Sequence, residues 1–107
     1  MSYKRNYNKI NAVEAKKIMD TEKNVSIIDV RDEDEREEGY IDNSIVIPLD
    51  TISSKVENII KDKNTIILVY CRSGKRSMQA ASLLSELGYK NIYDFGGIID
   101  WPFDIIL

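Results

Sequence analysis

The sequence predicts an α/β fold, an open parallel sheet flanked by helices on both faces. Short β-branched, apolar segments alternate with segments whose apolar residues recur at helical spacing, and residues 65–70 are apolar almost throughout. Continuous apolar strands are typical of parallel sheets, because both faces of such a strand are covered. With 107 residues, 43% of them hydrophobic, the chain is long enough for one domain with a continuous core.

The ends and totals of the chain indicate how it is organised. Residues 1–9 are polar without a clear period, so we predict an N-terminal tail there and a single domain over residues 10–107. No apolar run approaches the ~20 residues that span a bilayer, and the N-terminus has no pattern of a secretory signal. We therefore expect a cytoplasmic protein without membrane contact. The net charge of −3 argues against a nucleic-acid partner.

The first half of the chain predicts four elements: a helix over residues 12–20, strands over 25–30 and 44–47, and a helix over 52–61. Asn11 and Glu14 form a capping-box pattern where the first helix should begin. Pro48 stops the second strand. The apolar positions of both helices are expected to lie in the core.

The second half predicts a strand over residues 65–70, a helix over 78–87, a strand over 91–95 and a final helical segment. Gly88 stands where a helix C-terminal cap belongs. Gly96 and Gly97 permit a turn into the last segment, which carries Trp101. We interpret Trp101 as a core residue rather than a ligand-stacking one.

Charged residues follow the first strand. Arg31 could hold a loop or an anion, but we favour a structural ion pair with a neighbouring glutamate such as Glu37. Residues 32–38 are the densest charge cluster of the chain. We favour a solvated helix face for this run over a docking site for a basic partner.

The main candidate site is the cysteine loop, residues 71–77, between the apolar strand and the next helix. A short glycine-containing loop in this position aims successive backbone N–H groups at one point, here the sulfur of Cys71. Arg72, Lys75 and Arg76 place three cations within five residues of it. We therefore expect a thiolate in an anion-binding cradle, with Gly74 supplying a backbone conformation that is costly for other residues.

The absence of histidine narrows the chemistry. Without it, a Cys-His dyad, a Ser-His-Asp triad and most zinc sites are excluded. Cys71 is the only cysteine, so disulfide chemistry within the chain is also excluded. A buried structural thiol, the usual alternative, fits poorly beside three cations and a glycine.

The motif Cys-Arg-Ser-Gly-Lys-Arg-Ser of the cysteine loop resembles the active-site loop of single-domain rhodaneses, the thiosulfate sulfurtransferases, whose pattern is Cys-x-x-Gly-x-Arg or Thr. Residues 28–31 resemble the family's Asp-Val-Arg strand end, residues 39–48 its Gly-His-Ile-x-Gly-Ala-x-x-Ile-Pro segment, and residues 96–101 its Gly-Gly-x-x-x-Trp ending. Tyr40, Asn43 and Ser44 depart from the pattern, where the family has His, Gly and Ala.

The resemblance implies the rhodanese-like fold and a sulfur transfer through Cys71. The thiolate would take the outer sulfur of thiosulfate, release sulfite and pass the persulfide sulfur to cyanide or a thiol. A protein thiol is a further candidate acceptor. No cofactor or metal is implied. The residues expected to bind the anions are those of the loop, through their cations and N–H groups: Arg72, Ser73, Gly74, Lys75, Arg76 and Ser77.

Two other functions stay open. Phosphatases and arsenate reductases of similar fold use Cys-x5-Arg, whereas Arg76 gives Cys-x4-Arg, a loop expected to close too tightly for phosphate. The absence of a second cysteine weakens the arsenate reductase further. The other alternative is a non-catalytic docking module or a persulfide carrier for a partner protein.

Overall fold

A computed structural model describes residues 6–107 of the chain. Its strands are β1 (Asn8–Lys9), β2 (Val25–Asp29), β3 (Ser44–Val46), β4 (Ile66–Cys71) and β5 (Asn91–Gly97). Its α-helices are α1 (Ala12–Thr21), α2 (Ile52–Ile59) and α3 (Lys75–Glu86), and 3-10 helices cover Glu33–Glu38, Leu49–Thr51 and Ile98–Asp100. None of the helices in this described part is long and apolar enough to cross a membrane.

The five strands form one parallel sheet with the order β1-β5-β4-β2-β3. The most apolar strand, β4, lies in the middle, paired with β2 on one side and β5 on the other. Cys71 ends β4 and is paired with Gly97 of β5. The predicted α/β class is confirmed, and Cys71 lies at the carboxyl edge of the central strand, where sites of open α/β sheets usually form.

The core lies on both faces of the sheet because successive residues of a strand point to opposite sides. Ile67, Val69 and Cys71 belong to the cluster beneath α2 and α3. Leu68 and Tyr70 belong to the cluster on the α1 side. Burying one large apolar side chain contributes about 1.5–3 kcal/mol to the free energy of unfolding. Because β4 buries side chains on both faces, it holds the end of the strand, and with it Cys71, firmly in place. The predicted two-sided helical covering is therefore confirmed.

Strand β1 was not predicted. Asn8 and Lys9 fall in the segment that we predicted as a tail, but they pair with Tyr93 and Asp94 of β5. A strand of two exposed residues at a sheet edge is too short to show an alternating apolar pattern, so the sequence did not indicate it. Residues 1–5 of the predicted tail lie outside the described residues. The domain division itself stays a prediction.

Helix α3 begins earlier than its apolar period indicated. We predicted residues 78–87, but the helix starts at Lys75, with the N–H of Met78 already bonded to the Gly74 carbonyl at 3.2 Å. The first three residues of the helix, Lys75, Arg76 and Ser77, are polar, so they add nothing to the apolar period. Gly88 does follow the helix with a positive φ of 96°, as its predicted capping role requires.

Candidate active site

The sulfur of Cys71 is the focus of the cysteine loop. Cys71 is 1% exposed, and its Sγ accepts hydrogen bonds from the backbone N–H groups of Gly74, at 3.0 Å, and Ser77, at 3.4 Å. Both groups belong to the N-terminal end of α3, where unpaired N–H groups and the helix dipole favour negative charge. The loop therefore aims N–H groups at the sulfur as its sequence predicted, and two of them are within hydrogen-bonding distance.

Two glycines allow this geometry. Gly74 caps α3 with φ 107° and ψ −12°, in the left-handed region that side chains make costly. Gly97 has an ordinary φ of −116° but almost no space: a Cβ there would lie 2.1 Å from the Arg72 carbonyl oxygen and 2.6 Å from the Cα of Ser73. The backbone of the loop thus rests directly on the end of β5.

The buried carboxylate of Asp94 is hydrogen-bonded to the cysteine loop. The Ser77 hydroxyl donates to Oδ1 of Asp94 at 2.7 Å, and the N–H of Gly96 donates to the same oxygen at 2.9 Å. Lys9 of β1 donates to Oδ2 at 3.2 Å. Asp94 is fully buried, so these three donors offset the cost of its burial. Because the N–H of Ser77 contacts the sulfur, Asp94 links β1 and β5 to the position of Cys71.

Asp94 was not predicted as a site residue. A signal was present, since Asp94 is the one charged residue within the predicted strand over 91–95. A charge in a buried strand requires partners, and that requirement could have marked it.

The three cations of the loop have different surroundings. Arg72 and Lys75 are exposed. Arg76 is held in a two-pronged ion pair, with Nη1 2.6 Å from Oε1 of Glu35 and Nη2 3.0 Å from Oε2. The hydrogen bond with Arg76 lowers the pKa of Glu35, although burial opposes the shift. The same hydrogen bond, together with the negative charge of Glu35, raises the pKa of Arg76.

The acidic segment, Glu33–Glu38, supplies this partner. Most of its side chains are exposed, as expected for a solvated face, but Glu35 and Arg36 are half-buried. Arg36 donates to Asp29 at 3.2 Å and lies over the ring of Tyr40 with its guanidinium carbon 3.9 Å from the centroid. The segment is thereby fixed to β2 through Arg36, and the neighbouring Glu35 reaches Arg76 in the first turn of α3.

Arg31 has a structural ion pair, but the predicted partner is wrong. Arg31 is 2% exposed and binds Asp29, with Nη2 2.8 Å from Oδ2, rather than Glu37. A buried charge needs a partner that is also buried, and Glu37 is exposed. The Tyr70 hydroxyl also donates to Oδ2 of Asp29 at 3.0 Å, and burial, assisted by this carboxylate, raises the pKa of Tyr70.

Trp101 packs beside the core on the α1 side of the sheet. Trp101 is half-buried against the rings of Phe95 and Phe103, with centroids 5.5 and 5.0 Å away, in keeping with a core role. Within residues 6–107, no three Cys, Asp or Glu side chains are grouped closely enough to hold a metal ion. The described site is therefore a buried sulfur with N–H donors, two exposed cations and one arginine that is already paired.

Comparison with known proteins gives a consistent result. Residues 11–102 match the model of the Rhodanese-like domain. Thiosulfate sulfurtransferase PspE of Escherichia coli is 36% identical over 73 residues, which cover 68% of this chain and 70% of that protein. Putative sulfurtransferase YtwF of Bacillus subtilis is 34% identical over 92 residues, covering 86% of this chain and 87% of that protein.

Two further matches show how widely the domain occurs. The crystal structure of a rhodanese-related protein from Thermoplasma volcanium superimposes with a TM-score of 0.81 at 31% identity, covering 94% of this chain and 99% of that one. A tRNA uridine(34) hydroxylase of Erwinia tasmaniensis is 35% identical over 79 residues, but the match covers only 23% of that longer protein and 69% of this chain.

Proposed function

Because the chain belongs to the rhodanese-like domain family, we propose that it is a sulfurtransferase that moves sulfane sulfur from thiosulfate, through a persulfide on Cys71, to a thiophilic acceptor. The observation that carries this proposal is the sulfur of Cys71, which lies at the N-terminal end of α3 under the N–H groups of Gly74 and Ser77. A thiolate and its persulfide are both anions, and this arrangement suits both.

The reaction needs neither a proton shuttle nor a redox partner. The Cys71 thiolate forms a bond to the outer sulfur of thiosulfate, and the S–S bond of the donor breaks with its electron pair leaving on sulfite. Cyanide then attacks the terminal persulfide sulfur, leaves as thiocyanate and restores the thiolate. Charge balances in both steps, so a chain without histidine can perform them.

The residues of the cysteine loop have different roles in this reaction. Arg72 and Lys75 are exposed, so their charges attract a dianion from solvent towards the loop. Ser73, also exposed, lies between Arg72 and the helix cap. Gly74 and Ser77 provide the N–H groups that meet the sulfur itself.

The ion pair of Arg76 argues against the phosphate-type alternative. A phosphate cradle uses the arginine fork to bind two oxygens of the substrate. Here both terminal nitrogens of Arg76 bind Glu35. The carrier alternative uses the same persulfide and differs only in the acceptor, which would be a protein thiol.

Steady-state turnover tests the proposal. Purified protein is given thiosulfate and cyanide, and thiocyanate is measured, beside the Cys71→Ser variant and beside a phosphate ester as rival substrate. We expect thiocyanate from the wild type, none from the folded serine variant, and no ester hydrolysis. Faster turnover of the ester, or full activity in the serine variant, would refute the proposed reaction.

A further inference from the structure

Arg76 is associated with two sites of negative charge, because its guanidinium binds one and its backbone is next to the other. One is the carboxylate of Glu35, at 2.6 and 3.0 Å. The other is the anion site, because Arg76 is in the first turn of α3 and directly precedes Ser77, whose N–H meets the Cys71 sulfur. A cation that is bidentate to a carboxylate offers less attraction to another anion.

Glu35 is fixed in this position by its own segment. Its Oε1 accepts the backbone N–H of Asp32 at 3.1 Å, and its own N–H donates to the Asp32 carbonyl at 3.1 Å. Its carbonyl accepts from Nη1 of Arg31 at 3.4 Å, and Arg31 is itself buried in an ion pair. The carboxylate is thus anchored within the fold, and it is only 24% exposed.

We propose that Glu35 is a specificity-determining residue that limits the affinity of the site for its donor dianion by occupying the guanidinium of Arg76. The inference rests on the proposed function and deepens it. A thiosulfate ion that reaches the sulfur competes with Glu35 for Arg76 and is repelled by the same carboxylate. The site therefore attracts the donor through the charges of Arg72 and Lys75, while the guanidinium of Arg76 stays bound to Glu35.

Replacing Glu35 with glutamine tests this effect. Glu35→Gln keeps an oxygen for the Asp32 N–H and removes the charge that holds Arg76. Because an ion pair that is partly exposed is worth up to about 1 kcal/mol, or about fivefold in affinity, the KM for thiosulfate should fall about 3- to 5-fold, with kcat within about twofold. An unchanged or higher KM would overturn the proposal.

Two control variants separate this contact from net charge. Glu37→Gln removes the same charge from an exposed position of the same segment and should leave KM unchanged. The double variant Glu35→Gln/Arg76→Ala should lose the gain, since the gain requires a free guanidinium. An equal fall in KM from Glu37→Gln, or a gain that survives in the double variant, would refute the role of the pair.

A binding measurement makes the inference independent of turnover. Calorimetric titration of thiosulfate into Cys71→Ser protein, with and without Glu35→Gln, should show tighter binding by the same factor in the glutamine variant. Tighter binding without any turnover of the wild type would support the role of Glu35 in anion affinity while refuting the proposed reaction. Normal turnover with equal affinities would refute only the role of Glu35.

Discussion

Gly97 is the position where one added methyl group should damage the site most directly. The Cβ of an alanine would lie 2.1 Å from the Arg72 carbonyl oxygen, 2.6 Å from the Ser73 Cα and 2.7 Å from the Arg72 carbonyl carbon. All three are backbone atoms, so no side chain can rotate to make room. The φ of −116° suits alanine, which leaves the collision as the whole effect.

The collision of the alanine Cβ with the backbone sets the expected loss of stability. Overpacking of a tightly packed site costs about 1–3 kcal/mol, which lowers the melting temperature of a domain of this size by about 4–20 °C. Relief requires the backbone at Arg72 and Ser73 to move, and these residues directly follow Cys71. We therefore expect sulfur transfer by the remaining folded protein to fall at least about tenfold, as misplacement by about 1 Å can cost more than that.

Gly88→Ala is the matched control. Nothing lies within 4 Å of its added Cβ, but its φ of 96° is strained for alanine. It should therefore lose about 1–2 kcal/mol of stability and no activity. Chemical denaturation gives the free energy of unfolding, and thiocyanate release gives the transfer rate. Wild-type stability and rate in Gly97→Ala would refute the close packing of the loop on β5.

Two further predictions concern the polar contacts of the loop. Ser77→Ala removes a hydrogen-bond donor from the buried Asp94, so it should lower the free energy of unfolding by about 1.5–3 kcal/mol and slow persulfide formation. The control Ser82→Ala, at an exposed position of the same helix, should change the free energy of unfolding by no more than about 0.5 kcal/mol. Equal effects of the two variants would contradict the Asp94 contact. The second prediction concerns the ion pair of Glu35 and Arg76. Because the pKa of Glu35 is lowered in the folded protein, the ion pair stabilises the fold fully above about pH 4.3, the ordinary glutamate pKa. This stabilisation is lost as the pH falls through the lower pKa of the folded state. The free energy of unfolding of the wild type should accordingly exceed that of Glu35→Gln by about 0.5–1 kcal/mol at neutral pH and converge with it in acid; a difference that does not change with pH would contradict the ion pair.

The sequence was most informative where one pattern had one structural solution. The short, β-branched apolar run before Cys71 indicated a covered strand, and Gly74 with its neighbouring cations indicated a loop at a helix N-terminus. Both features follow from local chemistry, namely burial of apolar side chains and the freedom of glycine. The position of Cys71 at the end of the central strand was therefore predictable.

Contacts between distant segments were not predictable in the same way. Glu35 and Arg76 are 41 residues apart, and their meeting depends on strand order and on how the acidic segment is fixed to β2. The contact of Ser77 with Asp94 depends on the register of β5 beside β4. Periodicity within one segment carries no information about these pairings, so the partners of the loop residues emerged only from the fold.

The persulfide on Cys71 is tested by the intact mass of the protein before and after thiosulfate, and again after cyanide, with Cys71→Ser treated in parallel. We predict that the wild type gains the mass of one sulfur atom, that the sulfur maps to Cys71, and that cyanide removes it, while the serine variant gains nothing. A folded wild-type protein that gains no sulfur from thiosulfate would refute sulfur transfer through Cys71.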